Sequence, residues 1–355
     1  MLEDKLTKPI SNFYSAKNVV VTGGASFIGS HLVEALVKLQ CSVTVVDDLS
    51  SGNLENLTDV ANEIRFIKGD LRNQDVAIKS LENADYIFHL ANIHGGRGFI
   101  ESHPGEIAQN FLIDGNVLYA AKEAQVSGFC YTSSACVYPV DLQTQVAKES
   151  SRYLSEEMAD PFKTGGANAD GVYGWAKFMG ELALRSYNEQ FGLKGVSCRL
   201  FTVYGPRENE SHAIIAFIAK ALLKQDPFEI WGSGKQDRNF TYVADVVNGL
   251  LLALMNISDG SSINIGTDEI IPIFEAAKTV CDIVGFKPKN FYFDTTKPEG
   301  VAARAASIKL SREVLSWAPE TKFQSGIKET VNWYIANTNL VEIGNSLSRK
   351  LFERG

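Results

Sequence analysis

The stretch Val19-Val20-Val21-Thr22-Gly23-Gly24-Ala25-Ser26-Phe27-Ile28-Gly29 decides the fold. A short β-branched run stops at two glycines and resumes as a helical pattern. A turn with so little side-chain bulk lets the backbone approach a pyrophosphate, and the helix that follows offers unpaired N–H groups and a favourable dipole. The candidate cradle is Gly23, Ser26, Phe27, Ile28 and Gly29. Asp47 closes the next strand roughly 20 residues later, with Asp48 beside it. A carboxylate there accepts hydrogen bonds from ribose hydroxyls and repels a 2′-phosphate, which favours NAD over NADP; the alternative is a solvated strand end. Ser50 to Asn53 would line the adenosine end, and Asp70 with Leu71 would flank the adenine.

Outward from this turn, strands and helices alternate. The pattern predicts strands over 17–22, 42–47, 65–68, 86–91, 129–132 and 195–200. Helices are expected near 74–80, over 104–124 and over 173–191. Such alternation implies parallel pairing through right-handed crossovers. The expected class is α/β, a Rossmann-type doubly wound parallel sheet with a smaller C-terminal substrate-binding lobe. The nucleotide-binding unit would span 17–204 and the lobe mainly 205–340, with later segments near 240–266 returning to the sheet. Residues 1–16 read as a polar leader, and 338–355 carry no functional signal.

Composition narrows the classes of function. With 355 residues, 45% of them hydrophobic, the chain can bury a large core. A net charge of -8 argues against nucleic acid or a membrane surface as partner. No apolar run nears the roughly 20 residues of a membrane span. The five cysteines are odd in number and lack metal-ligand spacing, so neither a disulfide framework nor a metal is expected. These features describe a cytoplasmic protein with reduced thiols.

Two further stretches carry chemistry. Phe129-Cys130-Tyr131-Thr132-Ser133-Ser134-Ala135-Cys136-Val137-Tyr138 runs from an apolar strand into hydroxyls and a thiol. Tyr173 and Lys177 stand four apart, on one face of a helix, where an ammonium would lower the phenol's pKa. A polarised hydroxyl and an activated phenol suit hydride transfer. Cys136 is a candidate base or a buried spacer, and His212 a candidate acid/base or an ordinary loop residue.

Over roughly residues 17–335 the chain resembles the extended short-chain dehydrogenase/reductase family, in its branch of nucleotide-sugar epimerases and dehydratases. The marks are Thr22 to Gly29, Ser133-Ser134, Tyr173-Gly174-Trp175-Ala176-Lys177 and Arg199-Leu200-Phe201-Thr202-Val203-Tyr204-Gly205-Pro206. Four stretches bring it nearest to the GDP-mannose 3,5-epimerases: Gly95 to Ile100, Ser133 to Pro139, Trp231 to Arg238, and Pro298 to Val301. Three positions depart from the pattern. Ser26 replaces the middle glycine, Thr202 stands where the family usually has Asn, and His212 stands where the 3,5-epimerases have Lys.

The resemblance implies a bound NAD and a nucleotide-diphosphate sugar oxidised at C4. Tyr173 would remove the hydroxyl proton, Ser134 would bond the same oxygen, and Lys177 would hold the nicotinamide ribose. Asn110 would order the site, with Leu90, Ala91 and Asn92 completing the cofactor contacts. A 4-ketone acidifies C3 and C5, and Cys136 with His212 would exchange protons there. Dehydratases of the family carry an Asp-Glu pair where this chain has Ala135 and Cys136, which weighs against 4,6-dehydration. His94, Gly95, Arg97, Thr202, Lys235, Gln236, Arg238 and Arg304 form the candidate substrate set, with guanidinium forks suited to diphosphate. The arginines have surface ion pairs as the alternative role, and His94 and Arg97 plain loop roles. The resemblance also implies a homodimer through the helices 104–124 and 173–191. The alternative activities are a UDP-sugar 4-epimerase with a passive Cys136, and a non-catalytic NAD-binding sensor or scaffold.

Overall fold

Apolar, β-branched strands set the centre of the molecule. The computed structural model describes residues 3–144 and 153–352. Six strands in chain order, β1 (Asn18–Thr22), β2 (Ser42–Asp47), β3 (Ile64–Lys68), β4 (Tyr86–His89), β5 (Gly128–Ser134) and β6 (Gly195–Leu200), join one sheet. Their order is β3-β2-β1-β4-β5-β6, the strand Ser262–Ile265 extends it beyond β6, and every neighbouring pair is parallel. Val19 to Thr22 are buried without alternation, as expected of a strand covered on both faces. Helices Phe27–Lys38 and Val243–Asn256 pack together on one side of the sheet, and Gln74–Leu81, Asn110–Glu123 and Gly171–Phe191 on the other. The strand order reverses between β1 and β4, which opens a crevice at their carboxyl ends.

The fold is a Rossmann-type doubly wound α/β sheet with a smaller C-terminal lobe. The lobe has its own core of helices Ala213–Leu222, Ile273–Val284, Phe323–Asn337 and Leu340–Lys350, packed with the parallel pair Phe228–Trp231 and Phe291–Asp294. Strand Phe240–Tyr242 pairs with Thr202–Tyr204, outside the main sheet. Among the described residues, no helix is long and apolar enough to cross a membrane.

Two local expectations need correction. The polar leader contains the helix Lys8–Tyr14, whose buried Tyr14 donates to the Leu251 carbonyl at 2.8 Å. The helix expected over 104–124 is broken into Pro104–Ile107 and Asn110–Glu123. The backbone tightens to i→i+3 bonds at Gln109, Phe111 and Leu112, which turns Asn110 inward. There the Asn110 amide brackets Ile93, accepting its N–H at 2.6 Å and donating to its carbonyl at 2.9 Å.

Candidate active site

A cleft of about 670 Å³ runs along the carboxyl ends of the strands and under the lobe. At one end the glycine turn forms a bare backbone cradle. Gly23 has φ +70°, and a Cβ there would lie 2.8 Å from the Ala91 nitrogen. A Cβ on Gly29 would lie 2.2 Å from the Gly23 carbonyl oxygen. Ser26 N-caps helix Phe27–Lys38 without a side-chain hydrogen bond. Asp47 accepts from Ala25 N–H at 3.0 Å and Leu49 N–H at 2.9 Å, so the acidic residue also braces the turn. Asp48 takes the Ser50 N–H at 2.8 Å, and Asp70 is held by Arg72. Gly23, Phe27, Ile28, Leu71, Leu90 and Asn92 line the same stretch, as does Ala91, which donates to Thr22 Oγ1 at 3.2 Å. A cradle that a Cβ would fill, a helix N-terminus and an acidic strand end fit a dinucleotide.

Toward the lobe, β5 ends at Ser134, whose oxygen accepts the Cys136 N–H at 3.2 Å and turns the chain. Helix Gly171–Phe191 presses close against this turn, since a Cβ on Gly174 would lie 2.3 Å from the Cys136 carbonyl. That contact sets Tyr173 and Ser134 on the same cleft wall. All five cysteines are free, and Cys136 alone among them is not buried.

The electrostatics of Tyr173 differ from the expectation. Burial pushes its phenol up, with the Cys136 and Asp114 charges adding in the same direction; Ser134 opposes them. Lys177 does not line the cleft. Its Nζ lies 4.9 Å over the Tyr131 ring, and burial lowers its pKa against the pull of Asp114. In the protein without ligands burial outweighs any lowering of the Tyr173 phenol, so the one-face helix spacing does not by itself activate it.

Beyond Cys136 lies a cluster of cations. Arg304 donates to Cys136 Sγ at 3.2 Å, to Asp170 at 2.8 Å and to Gln143 at 2.7 Å. Arg97 reaches the same Asp170 oxygen at 2.9 Å. Burial works to raise the Asp170 pKa, but Arg304 and Arg97 outweigh it and hold the carboxyl below its usual range. Arg238 donates to the backbone carbonyls of Asp237 and Glu299. Burial, with Arg304 and Arg97 nearby, lowers its pKa. Arg97 also pairs with Glu101 at 2.6 Å, so three guanidiniums against two carboxylates leave one net positive charge, which suits a diphosphate.

His212 enters from the N-cap of helix Ala213–Leu222. Its ring stacks on His94 at 5.2 Å and 13°, and His94 lies 5.0 Å from the Tyr173 ring. Burial pushes His212 down to about 4. Gly95 and Thr202 also line this part of the cleft. Lys235 and Gln236 do not: the Gln236 amide folds back onto the Trp231 carbonyl at 3.2 Å, which leaves Lys235 on the outside of the turn. Residues absent from the sequence reading appear instead. Asp170 and Gln143 hold Arg304, Glu208 lies beside His212, and Thr338 and Lys350 bring the C-terminal segment to the rim.

The chain is similar to known proteins in sequence and fold. The profile of the NAD dependent epimerase/dehydratase family matches residues 19–266. GDP-mannose 3,5-epimerase of Arabidopsis thaliana is 32% identical over 321 residues, which cover 89% of this chain and 81% of that protein. A putative UDP-glucose 4-epimerase of Methanocaldococcus jannaschii is 31% identical over 323 residues, covering 89% and 97%. Among solved structures, UDP-glucose 4-epimerase of Thermotoga maritima with UDP-glucose superimposes with a TM-score of 0.80 at 27% identity, covering 90% and 99%.

Proposed function

The chain belongs to the NAD-dependent epimerase/dehydratase family, and from that premise we propose that it inverts C3, C5 or both in a nucleotide-diphosphate sugar, GDP-mannose being the first candidate. Bound NAD supplies the acceptor and donor for a hydride at C4. Burial disfavours the Tyr173 phenolate in the ligand-free protein, and the positive charge of a bound nicotinamide would favour it. In that form Tyr173 would take the C4 hydroxyl proton, with Ser134 beside it. The resulting ketone makes C3–H and C5–H acidic, because the electron pair left behind is an enolate. Cys136 removes a proton from one face and His212 returns one from the other.

One observation carries this reading: Cys136, Tyr173 and His212 line a single cleft, with the His94 ring against both the Tyr173 and the His212 rings. Arg304 donates to the Cys136 sulfur at 3.2 Å. Ala135 has no acid to expel a 6-hydroxyl. Arg238 and Arg97 are assigned to the diphosphate. The 4-epimerase relatives favour a second reading, inversion of C4 in a UDP-sugar with Cys136 passive.

Incubation with candidate nucleotide sugars in deuterated water separates the two. The first reading requires deuterium at C3 or C5. Inversion without label establishes the second, and neither inversion nor label leaves a protein that binds NAD without turnover. A cytoplasmic homodimer completes the proposal. Its support is an apolar row, Phe111, Leu112, Tyr119, Trp175 and Met179, exposed along the packed helices Asn110–Glu123 and Gly171–Phe191.

A further inference from the structure

Glu208 is a buried carboxyl set against His212. It lies near the Gly205 backbone, its Oε2 has no hydrogen-bond partner among the described residues, and the other oxygen, Oε1, lies 3.5 Å from His212 Nδ1. That ring nitrogen is also buried and without a hydrogen-bond partner. The ring lines the cleft, so Nε2 is the nitrogen left for a ligand. Glu210, two residues on, is fully engaged by comparison: it accepts from the Tyr334 hydroxyl at 2.6 Å and from Lys350 at 3.3 Å. A carboxyl oxygen and a ring nitrogen on neighbouring side chains, each buried without a hydrogen bond, cost stability, and such groups persist where chemistry uses them.

Resting on the epimerase reading above, we propose that Glu208 and His212 form one acid/base unit, with Glu208 the positioning residue that exchanges a proton with Nδ1 while Nε2 serves the sugar carbon. In the resting pair the Glu208 O–H points at Nδ1 and Nε2 bears the second proton. Reprotonation of the enolate breaks Nε2–H and forms C–H with the enolate's electron pair. The Glu208 proton moves to Nδ1 in the same event. The pair ends as a carboxylate against Nδ1–H, with the Nε2 lone pair free, and proton abstraction reverses these transfers. One proton and no electrons leave the unit, and one negative charge passes from enolate to carboxylate.

This route avoids a buried imidazolium. Burial pushes Glu208 up and His212 down, which favours the neutral pair. The other titratable rings near His212 are His94, stacked on it, and Tyr173 behind His94. The 3.5 Å gap exceeds a normal N–H···O or O–H···N bond by about half an ångström, a closure of the kind that accompanies substrate binding.

Two measurements test the unit. In protein labelled with ¹⁵N-histidine, His212 is expected at neutral pH as the Nε2–H tautomer with Nδ1 accepting, and Glu208→Gln should shift its resonances. A ring that titrates near about 6.5 like a solvated imidazole, indifferent to Glu208→Gln, overturns the proposal. With substrate, Glu208→Gln should cut solvent exchange at C3 or C5 on the order of 10²-fold while C4 oxidation, seen as nicotinamide absorbance, persists. Wild-type exchange in that variant also overturns it. If the wild-type protein exchanges with no nucleotide sugar, the epimerase reading fails instead, and the tautomer result still decides the pair.

Discussion

Arg304 donates to Cys136 Sγ at 3.2 Å, so the candidate base shares a guanidinium with the Asp170 carboxylate. Sulfur and carboxylate are thus held by one cation at the junction of sheet and lobe. Cys136→Ala removes the acid/base group while the neighbouring backbone contacts to Gly174 and Asp170 stay in place. The variant should fold normally and still show the nicotinamide absorbance of C4 oxidation. Its deuterium incorporation at C3 and C5 should fall on the order of 10²- to 10⁴-fold. Incorporation at the wild-type rate would assign the thiol to packing.

Tyr173 gives a spectroscopic prediction. Burial, Cys136 and Asp114 all push its phenol upward, and Lys177 lies over the Tyr131 ring. In the protein without ligands Tyr173 should therefore stay neutral through the ordinary tyrosine range near about 10. An ultraviolet titration of wild type minus Tyr173→Phe should be flat below that pH. A phenolate appearing near neutrality in the difference would restore activation by Lys177.

The contrast between Tyr173 and Asp47 shows what the chain discloses on reading. Asp47 was legible because strand, turn and spacing fix a backbone geometry, and the structure adds that the same carboxylate braces the turn. Tyr173 and Lys177 were legible as a helical pair, but a shared face does not say what each side chain meets, and Tyr131 from β5 takes the ammonium. Asp170 and Gln143 hold Arg304 across 134 and 161 residues of chain, a contact no local pattern encodes. Glu208 sits in a charged loop that reads as solvated until the lobe buries it. Lys350 reaches the cleft only because the last helix folds back against helix Ala213–Leu222.

His31 gives the acid side of stability. It lies in helix Phe27–Lys38, with Nε2 3.0 Å from the Pro206 carbonyl. Burial first, then Arg207, push its pKa from 6.5 to about 4, with the carbonyl opposing. Between those values the unfolded chain binds a proton that the native state does not, so stability falls as pH drops from 6.5 toward 4 and the effect then levels off. The full swing is roughly 3 kcal/mol. His31→Gln keeps a donor for Pro206 and should flatten the dependence of urea midpoints on pH across that window. An unchanged slope would place the acid sensitivity elsewhere.

The helix pair Asn110–Glu123 and Gly171–Phe191 leaves Leu112 51% and Met179 44% exposed, on helices that also carry Tyr173 and Asn110. Burying each such side chain against a second copy is worth about 1.5–3 kcal/mol. The wild-type chain should sediment as a dimer, and Leu112→Glu with Met179→Glu as a monomer at the same concentration. Because Tyr173 lies inside one protomer's cleft, the monomer should retain the tautomer state of His212 even where its helix pair is less rigid. A wild-type monomer at micromolar concentration would remove the homodimer from the proposal and leave the apolar row to another partner.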